Sequence, residues 1–337
     1  MSSRLRVAAL TFIGIPIVLV FAGASYQVIE SHAEERRSPE PGRLVDISGY
    51  RLLINCTGSG GPTIILESGL GDVSMEWNRV QTEISKFARV CSYDRAGYGG
   101  SDAGPMPRTS EQIAKELHSL LQNSGEVPPY LLVGHSFGGY NVRVYNGDYP
   151  REVMGLVLVD APQEDQYGLL PAAWNDIYDR QLKRYKKQAR WSPFLVGLGI
   201  ARFTLWRQGN VDEYTYLIQP KWLRARANEL EMIKVSAQQA RGSDNVSGKP
   251  LVVVTAGNKS DQILVNGLSK QDLDDFYRIW ITDLQVRLVH LSAQGKQIIV
   301  ADSGHNIPAE RPDAIVSAVR EMATSAGSRS SVAQTSH

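Results

Sequence analysis

Short apolar runs recur along the chain after residue 43, and polar segments separate them. Runs of this kind, bounded by turn-forming residues, are typical of buried β-strands. The sequence predicts eight of them, and the first two form a hairpin across Ser48-Gly49. The predicted strands are Leu44–Ile47, Tyr50–Cys56, Thr63–Glu67, Arg89–Tyr93, Tyr130–Val133, Met154–Val159, Leu251–Thr255 and Gln297–Ala301.

Helical patterns alternate with these strands. The clearest is Thr109–Asn123, where Thr109 and Gln112 can form a capping box and Gly125 follows the end of the helix. Strands that alternate with helices predict an α/β fold, with a mostly parallel sheet and helices on both of its faces. In such a fold the functional site lies at the carboxyl ends of the strands.

The segment 161–249 interrupts this alternation, because it is helical in character and contains no run typical of a buried strand. We interpret it as a cap inserted after strand six, so that residues 43–160 and 250–323 form the core. We expect the cap aromatics to pack mainly against one another rather than to contact a ligand. Its tryptophans are Trp174, Trp191, Trp206 and Trp222.

Both ends of the chain differ from the core. The segment from Val7 to Ile29 contains no charged residue and is long enough to cross a bilayer. Residues 1–29 are therefore predicted to be a transmembrane anchor. The small residues at 22–24 leave a cleaved signal peptide open as an alternative, and a soluble helix is a third. Arginines before this segment and acidic residues after it favour a domain on the extracytoplasmic side. Residues 30–42 are predicted to be a tether, and residues 324–337 a disordered tail.

Charge and composition exclude several classes of function. The 337 residues carry a formal net charge of +1, so nothing indicates a nucleic-acid partner. No spacing of histidine and cysteine typical of a metal site is present in the sequence. The oligomeric state is not indicated by any pattern.

The strongest local motif is GHSFG at 134–138, which follows a predicted strand and precedes a helical segment. In a nucleophile elbow, G-x-S-x-G places a serine on a sharp turn between strand and helix, and its glycines allow close backbone contacts. The motif therefore predicts Ser136 as a nucleophile at the N-terminus of a helix, where the helix dipole favours a developing anion.

With this motif the sequence resembles the α/β-hydrolase superfamily, from about Leu44 to Met322. Three further blocks carry the resemblance: ESGLG at 67–71, SYDRAGYGGS at 92–101 and DSGHN at 302–306. The first implies that the N–H groups of Leu70 and Phe137 bind an oxyanion. The second is the family's turn after strand four, and we assign it to structure.

The third block contains the histidine that the resemblance implies as the general base. Of six histidines, His305 alone lies in a loop just beyond a predicted strand, at the edge of the sheet where Ser136 is expected. His135 is the variable residue inside the elbow.

Two aspartates satisfy the order Ser, Asp, His that this fold uses. Asp261 lies in the loop after strand seven, where most family members keep the acid. Asp160 ends strand six, a position that some members use instead, and a rigid strand end suits a group that orients an imidazole. We slightly favour Asp160, and Asp261 stays open.

The resemblance also implies the strand order 1-2-4-3-5-6-7-8, which makes strands two and four neighbours. Cys56 and Cys91 lie one on each of them, so we expect a disulfide if the domain lies in an oxidising compartment. Two small buried cysteines would be the simpler interpretation.

Taken together, the resemblance implies a serine hydrolase that cleaves a carboxylic ester of a small molecule through an acyl-enzyme, without a metal or other cofactor. A serine nucleophile argues against epoxide hydrolases and dehalogenases of this fold, which use an aspartate there. Two alternatives remain: a ligand sensor with slow turnover, and a cofactor-free perhydrolase.

Overall fold

The computed structural model describes residues 18, 21–26, 29, 41–207, 215–243, 246–258 and 268–334. In these ranges eight strands form one sheet in the order β1-β2-β4-β3-β5-β6-β7-β8. The strands are β1 (Arg43–Asp46), β2 (Arg51–Thr57), β3 (Thr63–Glu67), β4 (Val90–Tyr93), β5 (Tyr130–His135), β6 (Val153–Val159), β7 (Leu251–Ala256) and β8 (Gly295–Val300).

Strand β2 runs antiparallel to both of its neighbours, β1 and β4, and every other pair in the sheet is parallel. The predicted α/β fold, the opening hairpin and the strand order are therefore confirmed. Each predicted strand is present, with its ends displaced by no more than two residues.

The helices between the strands are α1 (Asn78–Ile84), α2 (Ser110–Ser124), α3 (Gly138–Asp148), α4 (Gln166–Leu169), α5 (Ala172–Gly197), α6 (Ile200–Arg207), α7 (Pro220–Gly242), α8 (Lys270–Ile279), α9 (Gln285–Val289), α10 (Ile307–Glu310) and α11 (Pro312–Gln334). A π-helical turn, Trp280–Leu284, joins α8 to α9. Short 3-10 turns are Ser74–Trp77, Pro150–Glu152 and Thr215–Ile218.

Helix α2 begins and ends as its sequence predicts. The Thr109 side chain accepts a hydrogen bond from the Gln112 N–H at 3.3 Å, which satisfies one of the free N–H groups of the first turn. Gly125 ends the helix with a φ of +76°, a conformation that glycine adopts without a steric cost.

Both faces of the sheet are covered, which explains why the central strands are apolar without alternation. Leu132 faces a cluster that includes Ile113 of α2, whereas its neighbour Leu131 faces a second cluster that includes Ile315 of α11. Both leucines are fully buried.

Helices α4 to α7 lie between β6 and β7, as predicted for a cap. A buried guanidinium joins this cap to the core: Arg95 Nε donates to Glu229 Oε1 of α7 at 2.9 Å, and Nη1 donates to Glu67 Oε1 of β3 at 3.0 Å. The Tyr98 hydroxyl donates to the same Glu229 carboxylate at 2.6 Å. Arg95 and Tyr98 of the 92–101 block thus bind the cap to the sheet.

The structure describes part of each predicted terminal segment. Helix α11 continues to Gln334, so helix extends into the segment 324–337 for which a disordered tail is expected; this segment contains alanines, which favour helix. Most of residues 1–29 lies outside the described ranges. Within the described ranges, no helix is both long enough and apolar enough to cross a bilayer.

The Arg95 network generates a stability prediction. Substitution R95M leaves the Glu67 and Glu229 carboxylates buried without a cation, so we expect the free energy of unfolding to fall by about 3–5 kcal/mol in urea denaturation followed by circular dichroism. The matched control is R51M, which breaks an exposed ion pair with Asp102 and is expected to cost less than about 1 kcal/mol. Equal effects of the two substitutions would contradict the assignment.

Candidate active site

Ser136 lies on the sharp turn between β5 and α3, with a φ of +50°. The turn is tight enough that a Cβ at Gly134 would lie 2.7 Å from the carbonyl oxygen of Gly138. A Cβ at Gly138 would in turn lie 2.5 Å from the carbonyl oxygen of Glu67. Only glycine fits at either position, which is the physical reason for the G-x-S-x-G pattern.

A series of hydrogen bonds joins the serine to an imidazole and a carboxylate. His305 Nε2 lies 2.9 Å from Ser136 Oγ, and His305 Nδ1 lies 2.6 Å from Asp160 Oδ2. Because the carboxylate can only accept, Nδ1 carries the proton and Nε2 is free to accept the serine proton. The structure therefore brings Ser136, His305 and Asp160 into the arrangement expected from sequence.

The register of the sheet places two of these residues side by side. His135 of β5 pairs with Val159 of β6, so Ser136 and Asp160 each follow the last paired residue of adjacent parallel strands. Asp160 also has a positive φ, +42°, and its N–H donates to the Val254 carbonyl of β7 at 2.7 Å. The backbone of the acid is thereby fixed by the neighbouring strand.

The second oxygen of Asp160 is also held. Asp160 Oδ1 accepts hydrogen bonds from Trp280 Nε1 at 2.8 Å and from the Ala256 N–H at 3.1 Å. Trp280 begins the π-helical turn and is 7% exposed. The sequence analysis missed this residue, because nothing local to Trp280 indicates a partner 120 positions earlier in the chain.

The competing acid, Asp261, lies outside the described residues. Among the residues that the structure does describe, Asp160 is the carboxylate in contact with His305.

The two residues whose backbone amides are expected to bind an oxyanion lie at the same cavity as Ser136. Leu70 and Phe137 both line the cavity that contains Ser136 Oγ. Within the described ranges, neither amide is hydrogen-bonded to another protein group. Unbonded N–H groups at this position are available to an anionic oxygen.

The cavity has a volume of about 350 Å³ and lies between the strand ends and the cap. Aromatic side chains form much of its wall, including Trp174 and Tyr178 of α5 and Phe276 of α8. Of the other cap tryptophans, Trp222 is buried and donates to the Gly71 carbonyl, Trp191 is mostly exposed, and the Trp206 side chain lies outside the described part. Trp174 also packs against Phe276, with ring centroids 4.8 Å apart, so it combines packing with a place in the cavity wall.

His135 supports the loop that carries the base. Its Nε2 donates to the carbonyl oxygen of His305 at 2.9 Å, and its side chain is 3% exposed. Burial, together with the nearby His305 ring, lowers the pKa of His135 to about 4, so the imidazole is neutral at pH 7.

Two groups of side chains have the donor types of a metal site. Cys56 and Cys91 belong to the first, but they face each other across β2 and β4 and are joined in the expected disulfide. The second, in the described part of the chain, is Asp72, Glu76 and His135, and it also lines the cavity.

Comparisons with known proteins agree with this fold. Residues 62–191 match the family model of the α/β hydrolase fold. An enol-lactonase from Burkholderia xenovorans LB400 has a similar structure, with a TM-score of 0.57 at 17% identity over 84% of this chain and 100% of that one. The chain has the α/β-hydrolase fold.

Two curated relatives match a smaller part of the chain. The chain is 35% identical to "Probable transporter efuK" of Hormonema carpetanum over 38% of its own length and 20% of that protein. It is 32% identical to YqjL of Bacillus subtilis over 42% of its own length and 56% of that protein. The chain thus spans about a fifth and about half of the lengths of these two relatives.

Proposed function

We propose that this protein is a serine hydrolase that cleaves carboxylic esters, open-chain or cyclic, of small molecules. The observation that carries the proposal is the continuous hydrogen-bonded series from Ser136 Oγ through His305 to Asp160, which lies at a cavity partly walled by aromatic side chains. The similarity to a lactonase supports this choice only as a similarity of fold.

In the proposed reaction His305 Nε2 takes the Ser136 proton as Oγ attacks the ester carbonyl, and the amides of Leu70 and Phe137 bind the oxyanion. Collapse expels the alcohol, which receives the proton from His305, and leaves an acyl group on Ser136. Water, deprotonated by the same imidazole, then attacks the acyl-enzyme and releases the acid. One ester and one water give one acid and one alcohol.

Trp280 is a positioning residue in this scheme. Asp160 must keep its second oxygen on the imidazole while charge develops there, and the indole N–H with the Ala256 N–H fixes the carboxylate rotation. Both donors also stabilise the negative charge of the acid.

The class of enzyme is tested by labelling with a fluorophosphonate and by hydrolysis of p-nitrophenyl butyrate. We expect the wild-type chain to be labelled on Ser136, and S136A to lose labelling and at least roughly four orders of magnitude in kcat/KM. The control S119A, on helix α2, is expected to label normally. Retained labelling or turnover in S136A would sink the proposal.

The identity of the acid is tested by comparing two amide substitutions. We expect D160N to lower kcat by about 10³–10⁴-fold, because it removes the carboxylate that stabilises the imidazolium. D261N is expected to retain activity within about twofold of wild type, well below the tenfold change that 1.4 kcal/mol represents. The reverse ranking would assign the acid to Asp261.

The role of Trp280 is tested by W280F, which keeps the ring and removes the N–H donor. Losing one hydrogen bond to a charged group costs about 1.5–3 kcal/mol, so we expect kcat to fall by about 10–100-fold with KM little changed. The acidic limb of the pH–kcat profile should move to higher pH, since Asp160 attracts the imidazolium more strongly without this donor. In the control W174F, which changes a tryptophan of the same cavity wall, that limb should not move; a shift in both variants would refute the role.

A further inference from the structure

Three acceptor groups converge on one side of the cavity. Ligand atoms of Asp72, Glu76 and His135 all lie within 4.8 Å of one another, and all three residues line the cavity that holds Ser136. Asp72 follows the oxyanion loop 67–71, and Glu76 lies on the 3-10 turn Ser74–Trp77. No step of the reaction described above uses Asp72, Glu76 or the Nδ1 atom of His135.

The His135 ring presents a bare nitrogen to this point. Its Nε2 must carry the proton, because it donates to the His305 carbonyl, and the ring is neutral. Nδ1 therefore has an unshared electron pair, and it lies 3.8 Å from Asp72 Oδ2, which is also an acceptor. Within the described part of the chain no donor is hydrogen-bonded to Nδ1, although only 3% of the His135 surface is exposed.

The carboxyl groups of Asp72 and Glu76 also interact with each other. Burial, and next to it the charge of Asp72, raises the pKa of Glu76 to about 9. The Glu76 carboxyl therefore carries a proton at pH 7. Acceptor atoms of all three residues thus converge at the cavity wall, and the proton on Glu76 can serve only one of the other two, so a donor group in the cavity would find free acceptors here.

The cluster lies next to the reacting atoms. A Cβ built on Gly69 would lie 2.4 Å from Asp72 Oδ2 and 3.2 Å from both His135 Nδ1 and Ser136 Cβ. Asp72 and the nucleophile are therefore neighbours around the same small residue. A charged group close to the scissile carbonyl of a substrate would therefore lie near the cluster.

We propose that Asp72, Glu76 and His135 form a subsite for the ammonium group of the substrate, and that the preferred substrates are esters of α-amino acids. The inference rests on the proposed ester hydrolysis and names its substrate class. An ammonium group has three N–H donors and no acceptor, which matches three acceptors one to one. The 3.8 Å between Nδ1 and Oδ2 exceeds the roughly 3.4 Å that separates two ligands of a tetrahedral Zn²⁺, so an ammonium fits the present spacing better.

The test compares two esters that differ only in the amine: L-leucine ethyl ester and ethyl 4-methylpentanoate, at pH 7 in a pH-stat. For the wild-type chain we expect kcat/KM to be at least about tenfold higher for the leucine ester, as for one charge-assisted hydrogen bond. D72N and E76Q should lose most of this preference through the leucine ester alone, with the rate on the neutral ester within about threefold of wild type. The control E83Q removes a carboxylate from exposed α1 and should keep the preference.

The outcomes separate this inference from the function on which it rests. If Ser136-dependent turnover occurs but the wild-type chain does not prefer the leucine ester, the subsite is wrong and the hydrolase stands. If neither ester is hydrolysed and no fluorophosphonate labelling occurs, the hydrolase itself fails. Calorimetry with Zn²⁺ or Mn²⁺ adds a further arm: binding that D72N abolishes, without amine preference, would mean that the cluster is a metal site and overturn the ammonium proposal. Should D72N not fold, E76Q alone decides the preference.

Discussion

Two strained strand ends, held side by side by the sheet, are the constraint on which the site depends. Ser136 and Asp160 both have a positive φ, and each such residue costs about 1–3 kcal/mol. The strain persists because their N–H groups are bonded to carbonyls of the next strands, Val159 and Val254. Parallel pairing of β5, β6 and β7 thus turns two backbone bends into a fixed separation between Ser136 and Asp160. A loop acid would lack this restraint, which is why the position of Asp160 suits its task.

How far the sequence predicts this molecule follows from where the information lies. The strands are predictable because Leu131 and Leu132 are buried on opposite faces, so the apolar runs are unbroken. Ser136 and His305 are predictable because a local motif or a strand end marks each. Trp280 is not, because its hydrogen bond to Asp160 depends on how α8 packs across the end of the sheet. Asp160 and Asp261 could only be ranked, since both follow a strand and sequence does not give the direction of a side chain.

A buried network around Arg95 joins the cap to the loop beside Ser136. Arg95 bonds to Glu229 of the cap and to Glu67 on β3, and it also donates to the Ser68 and Gly69 carbonyls of the oxyanion loop. Since a buried guanidinium is costly unless every donor is used, this geometry has few alternatives. The cap base and the Leu70 amide are therefore fixed by the same side chain, so displacement of α7 would disturb the oxyanion site.

The oxyanion loop also explains why the acceptor cluster lies where it does. Gly69 leaves room for the Asp72 carboxylate beside Ser136, and any larger residue would collide with that carboxylate. His135 then serves both sides of the site, since its Nε2 holds the His305 loop and its Nδ1 faces Asp72. A cation bound there would hold the imidazole tautomer that donates to the His305 carbonyl. Under the proposal, recognition of a charged substrate and positioning of His305 would thus share one buried ring.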